Sequence, residues 1–377
     1  MESAGSVGGR AMKTIVLLAV ALMLPLSPMT TNQTDQLNEI SYDAMARRIV
    51  AALRPERGER VILRFDAETL PALEPKVRRL LEQAGAVVET LAYGPAPDLE
   101  QKLASTDIYV WLPAGPRAGT PPAQAEALGR WLDSGRGRQV HFHWGDGTRA
   151  ADGLPARHSA AYDRVYLDAL DIDYGALDRR MDAAIRKLRS GEITVTTPAG
   201  TDLRFRVADR PFTKQSGDAS KERMKIARVR IDREIELPAG ALRVAPIETS
   251  VNGRMVVPSA RIGMVEVTNI RLEFNEGAVT RFSAGANEEA LKKALESGPG
   301  LKKFRELGIG FNPKLVTPAG ERWLPYYGYG AGVVRLGLGD NSELGGAARG
   351  FPIRWLFFPD ATVRVGNDVI VDNGRLK

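Results

Sequence analysis

The sequence predicts two halves of different fold class: an α/β N-terminal half with a mainly parallel sheet, and a β-rich α+β C-terminal half. From Ser41 to about Ser190, strand-like apolar runs alternate with helical runs, which is typical of a parallel sheet covered on both faces. After Gly191, short runs with an apolar residue at every second position favour antiparallel strands. We therefore expect an N-terminal domain over residues 35–190 and a C-terminal domain over 191–377, with residues 1–34 in neither.

The N-terminal half begins with a predicted helix, because Met45, Ile49 and Leu53 recur at helical spacing. RVILRF then predicts a buried strand, and LEPKVRRLLEQAG predicts a helix that Gly85 ends. Further strands are predicted in AVVETLAY, TDIYVWLPAG and RQVHFHW, with a helix in PPAQAEALGRWLDSG between the last two. YGALDRRMDAAIRKLRSG predicts the helix that closes this half.

The C-terminal half opens with a predicted hairpin, since EITVTTPAGTDLRFRV contains two alternating runs around a PAGT turn. ALRVAPIE, GRMVVPS and TVRVGNDVIVDNGRLK predict more strands, and NIRLEFNEGAVTRFSAG predicts a second hairpin around an Asn-Glu-Gly turn. NEEALKKALESG predicts a helix. The basic stretch over residues 206–230 fits either a flap over a cleft or a surface loop.

Composition excludes several classes of function. The net charge of +6 in 377 residues is spread through both halves, which favours a solvated surface over a nucleic-acid face, so we expect no nucleic-acid partner. The chain contains no cysteine, which excludes disulfides, thiolate zinc sites and cysteine nucleophiles.

Residues 1–34 predict a signal peptide or an N-terminal anchor. Arg10 and Lys13 precede an apolar run over residues 15–26, and a polar stretch follows. The run is too short to span a bilayer comfortably, and no Ala-x-Ala cleavage site follows it in residues 27–40. We expect export to a periplasm or secretion, with membrane contact only if this segment stays uncleaved.

The loop VVRLGLGDNSELGG, residues 333–346, is rich in glycine but lacks the features of a nucleotide site. A phosphate-binding loop needs Gly-Lys-Ser/Thr or G-x-G-x-x-G after a strand, and Gly-Lys never occurs in this chain. Asp340 follows the glycines and would repel a phosphate. A tight turn at a strand end is therefore expected.

Two histidines form the main alternative site. His141 and His143 lie two residues apart on a predicted strand, so both side chains share a face, and Asp146 follows. These three residues are a weak candidate metal cluster; a half-buried strand end accommodates imidazoles equally well. No Ser-His-Asp order is supported, because no G-x-S-x-G elbow occurs and His158 lies in a predicted loop.

Several segments, in order from about Ala44 to Arg375, resemble one family. LPAGALRVAPIETSVNGRMVV, ELGIGFNP and GDNSELGG, together with RGERVILRFDAETLPALEPKVRRLLEQAGA and ITVTTPAGTDLRFRV, are similar to the aminopeptidase T family of thermophilic metallo-aminopeptidases. The resemblance implies two divalent metals held by carboxylates and histidines of the C-terminal domain. It also implies removal of N-terminal residues from peptides, and a homodimer.

This sequence departs from the family at four of five metal-ligand positions. Glu306 retains one glutamate, whereas Ala241, Arg335, Arg354 and Leu356 occupy the other positions. Alanine and leucine offer no ligand atom, and arginine stays protonated and has no lone pair to donate. A single carboxylate is too few protein ligands for a zinc site.

We therefore predict an exported pseudoenzyme that lacks the usual di-metal catalysis, needs no cofactor and keeps a cleft for a peptide or a small carboxylate. Arg335, Arg354 and Glu248 are predicted to contact that ligand. Arg335 or Arg354 is expected to pair with Glu306, unless both arginines reach solvent. The alternative is an active metallo-aminopeptidase that holds zinc, cobalt or manganese in an atypical site, and a structural role through dimerisation also stays open.

Overall fold

The computed structural model describes residues 39–115 and 120–377, with side chains from Ser41 onward. The predicted signal peptide or anchor over residues 1–34 lies outside the described residues. Within the two described ranges, no helix is long and apolar enough to cross a bilayer.

The first sheet has five strands, and all of its neighbouring pairs are parallel. The strands are β1 (Arg60–Phe65), β2 (Val87–Ala92), β3 (Ile108–Trp111), β4 (Arg138–Phe142) and β8 (Glu234–Leu237), in the order β2-β1-β3-β4-β8. The predicted mainly parallel sheet is confirmed.

Helices cover both faces of this sheet because consecutive residues of its strands are apolar and point to opposite faces. Val61 and Leu63 of β1 share a core with the apolar faces of two helices, α1 (Glu39–Leu53) and α2 (Leu73–Gln83). Ile62, between them, faces the opposite way and packs with residues of α3 (Leu99–Leu103) and α4 (Pro122–Asp133). Two further helices, α5 (Ala160–Leu170) and α6 (Tyr174–Arg189), lead to the second half.

The C-terminal half contains two antiparallel sheets and confirms the predicted β-rich class. Their strands are β5 (Ile193–Thr196), β6 (Asp202–Phe205), β7 (Phe212–Gln215), β9 (Ala241–Val244), β10 (Asn252–Ile262), β11 (Val265–Asn275), β12 (Ala278–Ser283), β13 (Phe304–Gly310), β14 (Val334–Leu338), β15 (Arg354–Phe358), β16 (Thr362–Val365), β17 (Asp368–Asp372) and β18 (Arg375–Leu376). The larger sheet has the order β12-β11-β10-β6-β5-β16-β17-β18, and the smaller has the order β15-β14-β13-β9-β7. Both predicted hairpins are present as β5–β6 and β11–β12, and the predicted helix is α8 (Glu288–Glu296).

The expected boundary near Ser190 does not separate the sheets. Strand β8 follows that boundary in the chain, yet it pairs with β4 in the first sheet. The side chain of Gln215 in β7 then joins β8 to the smaller antiparallel sheet: its amide nitrogen donates to the Glu234 carbonyl at 2.9 Å, and its amide oxygen accepts from the Glu236 N–H at 2.8 Å. The first sheet and the smaller sheet are therefore held edge to edge.

The basic stretch over residues 206–230 is folded onto the body of the protein. It contains β7 and a short helix, α7 (Lys221–Met224), and runs into a 3₁₀ turn over Arg230–Arg233. That turn packs against α4 and against another 3₁₀ turn over Ser342–Leu344.

Replacing Gln215 by leucine tests this connection. The Glu234 carbonyl and the Glu236 N–H would lose their buried partner, and each unpaired group costs about 1–3 kcal/mol. We expect the free energy of unfolding to fall by about 2–4 kcal/mol in urea titrations. The same change at the exposed Gln83 is the control, and an equal effect at both positions would contradict the role given to Gln215.

Candidate functional site

One face of the smaller sheet gathers charged side chains from adjacent strands. Residues directly opposite each other in an antiparallel pair point to the same side. Arg335 of β14 and Arg243 of β9 both lie opposite Gly308 of β13, and Glu306 lies opposite Gly337. Arg243, Glu306 and Arg335 therefore share a face.

The two glycines provide the space for these side chains. A Cβ atom at Gly308 would lie 3.1 Å from Nε of Arg335, and one at Gly337 would lie 2.8 Å from Cγ of Glu306. The pairing register also shifts between Phe304 and Glu306, a bulge that lets the consecutive residues Arg305 and Glu306 both reach this face.

Glu306 is fully buried and contacts three guanidinium groups. Its Oε2 accepts hydrogen bonds from Arg243 Nη2 at 2.8 Å and from Arg305 Nε at 3.2 Å. Its Oε1 lies 2.9 Å from Arg335 Nε. Burial by itself would raise the pKa of Glu306, but Arg243, Arg335 and Arg305 more than offset it and hold the pKa well below its usual range.

A second carboxylate completes the cluster. Oε1 of Glu343 accepts a hydrogen bond from Arg243 Nη2 at 2.8 Å and another from Arg305. The side chain of Glu343 is 34% exposed, whereas those of Arg243 and Arg305 are at most 4% exposed. We call Arg243, Arg305, Arg335, Glu306 and Glu343 the arginine cluster; its formal charge is +1.

Of the two arginines considered as partners of Glu306, Arg335 forms the pair and Arg354 does not. In β15, Trp355 lies opposite Gly337 and Phe357 opposite Arg335, so these two side chains share the face of the arginine cluster. Neighbouring residues of a strand point to opposite faces of the sheet, so Arg354 and Leu356 point away from the arginine cluster. The Arg354 guanidinium instead donates to the carbonyls of Asp152 and Arg261 at 3.2 and 2.9 Å.

Glu248, predicted to contact a ligand, is held by three donors outside the arginine cluster. It accepts hydrogen bonds from Arg210 at 2.5 Å, from Asn341 Nδ2 at 3.0 Å and from the Ala347 N–H at 2.6 Å. These contacts hold the glycine-rich loop, in which Asn341 also donates to the Arg305 carbonyl at 3.3 Å. The loop is a turn that positions Glu343.

Sequence reasoning missed three members of the cluster. Arg243 could have been found, since it follows Ala241 by two residues in a strand and therefore shares its face. Arg305 depends on the bulge and Glu343 on the fold of a loop, and no periodic pattern marks either residue.

The metal pair that the family resemblance implies does not fit these residues. Both oxygens of Glu306 already contact guanidinium groups, and the other side chains of this face at Ala241, Arg335, Trp355 and Phe357 offer no ligand atom for a metal. Among residues 41–115 and 120–377, no three histidine or carboxylate side chains are arranged to hold a metal ion.

The histidine pair lies at the carboxyl end of the parallel sheet, next to the cluster. The rings of His141 and His143 stack with centroids 3.6 Å apart, and each has its own carboxylate: His141 Nδ1 lies 3.3 Å from Glu234 and His143 Nδ1 lies 3.0 Å from Asp146. Burial alone would lower the pKa of His143, but Asp146 more than offsets it and raises the pKa. Of the three candidate ligands, His143 and Asp146 contact each other, whereas His141 contacts Glu234, and the three are not arranged as one metal site.

Tyr329 links the two regions. Its hydroxyl donates to Glu236 of β8, and its ring centroid lies 5.7 Å from the Arg335 guanidinium carbon. Burial, together with the charge of Glu236, raises the pKa of Tyr329 well above its ordinary value, so the hydroxyl stays protonated.

His158 is part of a series of hydrogen-bonded side chains that resembles a catalytic triad in composition. Its Nδ1 lies 3.0 Å from Thr148 Oγ1, and its Nε2 lies 2.9 Å from Asp163. Thr148 is fully buried and also contacts the Tyr166 hydroxyl at 3.3 Å. A substrate cannot reach the buried Thr148 hydroxyl, so these hydrogen bonds contribute to packing.

Comparisons with known proteins fit this geometry. The family described as thermophilic metalloprotease (M29) matches residues 175–318, less than half of the chain. The resemblance to the thermophilic metalloproteases is confirmed. The matched segment contains Arg243, Arg305 and Glu306, while Arg335 and Glu343 follow it. No curated protein matches the sequence.

Two solved structures share the fold along nearly the whole chain. The 2,5-dihydroxypyridine dioxygenase from Pseudomonas putida KT2440 has a TM-score of 0.62 at 16% identity, covering 90% of this chain and 98% of its own. Wild-type AmpT from Thermus thermophilus has a TM-score of 0.55 at 16% identity, covering 92% of this chain and 99% of its own. At this identity the likeness shows the fold alone, so function has to be argued from the site.

Replacing Glu306 by glutamine tests the electrostatics of the cluster. Arg243 and Arg305 would keep Glu343 as a carboxylate partner, whereas Arg335 would keep none in the cluster, and breaking a buried pair costs about 3–5 kcal/mol. We expect the free energy of unfolding at neutral pH to fall by about that amount. Glu296→Gln, at an exposed helical position, should have little effect.

The same variant predicts a pH dependence. Because the folded-state pKa of Glu306 lies below the ordinary 4.5, its stabilisation is fully present above about pH 4.5 and is lost as the pH falls toward the folded-state pKa. The difference in stability between wild type and Glu306→Gln should therefore shrink in urea titrations below that pH. A difference that stays constant down to pH 3 would contradict the assignment.

Proposed function

We propose that this aminopeptidase-like protein is a binding protein without di-metal hydrolysis, and that its arginine cluster binds the carboxylate of a peptide or a small organic acid. Arginine suits this role, because its planar fork of N–H donors matches the two oxygens of a carboxylate.

The observation that carries this proposal is the charge of the cluster. Three guanidinium groups face two carboxylates, which leaves one positive charge in a buried place. Two donors also lack a hydrogen-bond partner among the described residues, Nε of Arg243 and Nη2 of Arg335. Unpaired buried donors are costly, so an added carboxylate would lower the free energy of the cluster.

Loss of hydrolysis is supported by the same side chains. Metal-assisted attack on an amide needs a bound water whose pKa is brought near neutrality, which in turn needs at least three protein ligands and an open position. Arg243, Arg305 and Arg335 supply permanent positive charge beside Glu306, but they have no lone pair with which to hold a metal.

The rest of the proposal rests on sequence features and resemblance. Export to a periplasm or secretion rests on residues 1–34, and a homodimer rests on the family resemblance. A peptide ligand rests on the family description as metalloprotease, since a peptide carries a terminal carboxylate.

An active metallo-aminopeptidase is the second candidate. The stacking of His141 on His143, with Glu234 and Asp146 nearby, favours it, because imidazole and carboxylate groups are common zinc ligands. Zinc, cobalt or manganese would then lie at the end of the parallel sheet.

Metal content and turnover decide between the two. We expect the full chain, purified and then incubated with zinc, cobalt or manganese, to retain less than stoichiometric metal after dialysis. We also expect no metal-dependent release of arylamine from unblocked amino-acid arylamides. An active metallo-aminopeptidase assayed in parallel confirms that the conditions support turnover.

Two variants locate any metal that does bind. Stoichiometric metal with turnover that is lost in Glu306→Ala would overturn the proposal in favour of a family-like site. Loss in His141→Ala instead would place an active site at the histidine pair. Small carboxylates that raise the Tm of a metal-free protein would support the binding role, since a ligand stabilises the fold by mass action.

A further inference from the structure

A surface pocket adjoins the arginine cluster. It has a volume of about 390 Å³ and lies between the end of α4, the residues 227–233 and the turn that contains Glu343. Its charged lining consists of Asp133, Arg228, Arg230, Arg233 and Glu343. The volume lies at the lower end of the range for small-molecule sites.

The positive charge of the pocket is only partly neutralised. Arg230 is paired with Asp133, and its Nε lies 2.8 Å from the carboxylate. Arg228 and Arg233 contact backbone carbonyls, and among the described residues neither forms an ion pair within 4 Å. Their two guanidinium groups are therefore available to an anion in the pocket.

Glu343 separates this pocket from the buried arginines. Its side chain lines the pocket and at the same time accepts hydrogen bonds from Arg243 and Arg305. It is the one member of the arginine cluster that is substantially exposed to solvent. A carboxylate from solvent that reached Arg243 and Arg305 from this side would meet Glu343 first.

We propose that the pocket binds a small carboxylate and that Glu343 is an internal carboxylate which this ligand replaces on Arg243 and Arg305. The inference rests on the proposed function. It adds that the ligand enters from the pocket, that it competes with Glu343, and that it is small. Such a ligand is an amino acid or a short organic acid, whose carboxylate contacts the buried pair while Arg228 and Arg233 contact a second polar group. Because the ligand takes the place of Glu343 and is not added beside it, the surplus positive charge of the cluster attracts the ligand but is not neutralised by the exchange.

Removing Glu343 tests the exchange. In Glu343→Ala the buried pair loses a carboxylate, so the Tm should fall by several degrees. Acetate or succinate should restore at least about half of that loss, relative to chloride at equal ionic strength. Wild type should respond at least about tenfold more weakly, because its tethered carboxylate competes at a high effective concentration.

Three comparisons make the test specific. Glu126→Ala, which removes an exposed carboxylate from α4, should show no response to acetate beyond that of wild type. Adding Arg233→Met to Glu343→Ala should weaken the response to succinate. In Glu343→Gln, which keeps the size of the side chain, line broadening of ¹³C-acetate should report binding directly if the alanine variant does not fold.

Three results would overturn the inference. One is an equal response of Glu343→Ala to chloride and to acetate, and a second is an equal response of the Glu126→Ala control. The third is a stronger response to inorganic phosphate than to the carboxylates, which would assign the pocket to phosphate. Stoichiometric metal and turnover, by contrast, would overturn the proposed function whatever Glu343→Ala does, so the two failures are distinguishable.

Discussion

The buried carboxylate of Glu306 is the constraint on which the site depends. A charge without access to water is costly unless opposite charges and hydrogen bonds surround it. Glu306 has ion pairs with Arg243, Arg305 and Arg335, and it accepts hydrogen bonds from Arg243 and Arg305. Each guanidinium is itself almost fully buried: Arg243 and Arg305 pair with both Glu306 and Glu343, and Arg335 pairs with Glu306. The side chains of the cluster thus stabilise one another as a network, and no single pair accounts for the whole.

The sheet is built to hold this network at close range. Gly308 and Gly337 lie directly opposite the charged residues, and a methyl group at either position would contact the side chain that lies across it. With strict alternation along β13, Arg305 would point to the opposite face from Glu306. The bulge lets its guanidinium join the other two on the same face. Since Tyr329 ties Arg335 to Glu236, the network also spans the join between the antiparallel and the parallel sheets.

The sequence predicted the two fold classes and most strands because the spacing of apolar residues reflects which face of a helix or strand is buried. That spacing can be read from a single sequence. The sequence also placed Glu306 and Arg335 together. The side of the sheet on which Arg354 lies could not be predicted, because pairing between strands sets an antiparallel register. An error of one residue in that register moves a side chain to the opposite face. The places of Arg305 and Glu343 in the cluster could not be predicted for a related reason. They depend on a bulge and on a loop conformation, both of which are determined by tertiary contacts.

The fold by itself leaves the chemistry open, since the solved structures that share it include one described as a dioxygenase and another described as AmpT. The chemistry of this chain has to be argued from the charge on one face of its smaller antiparallel sheet. A metal pair would present positive charge that can accept electron pairs from a carbonyl or a water. Guanidinium groups present positive charge that can only donate hydrogen bonds. The proposed role of this face in binding a carboxylate needs only donors of this kind, whereas activation of water would require a different group.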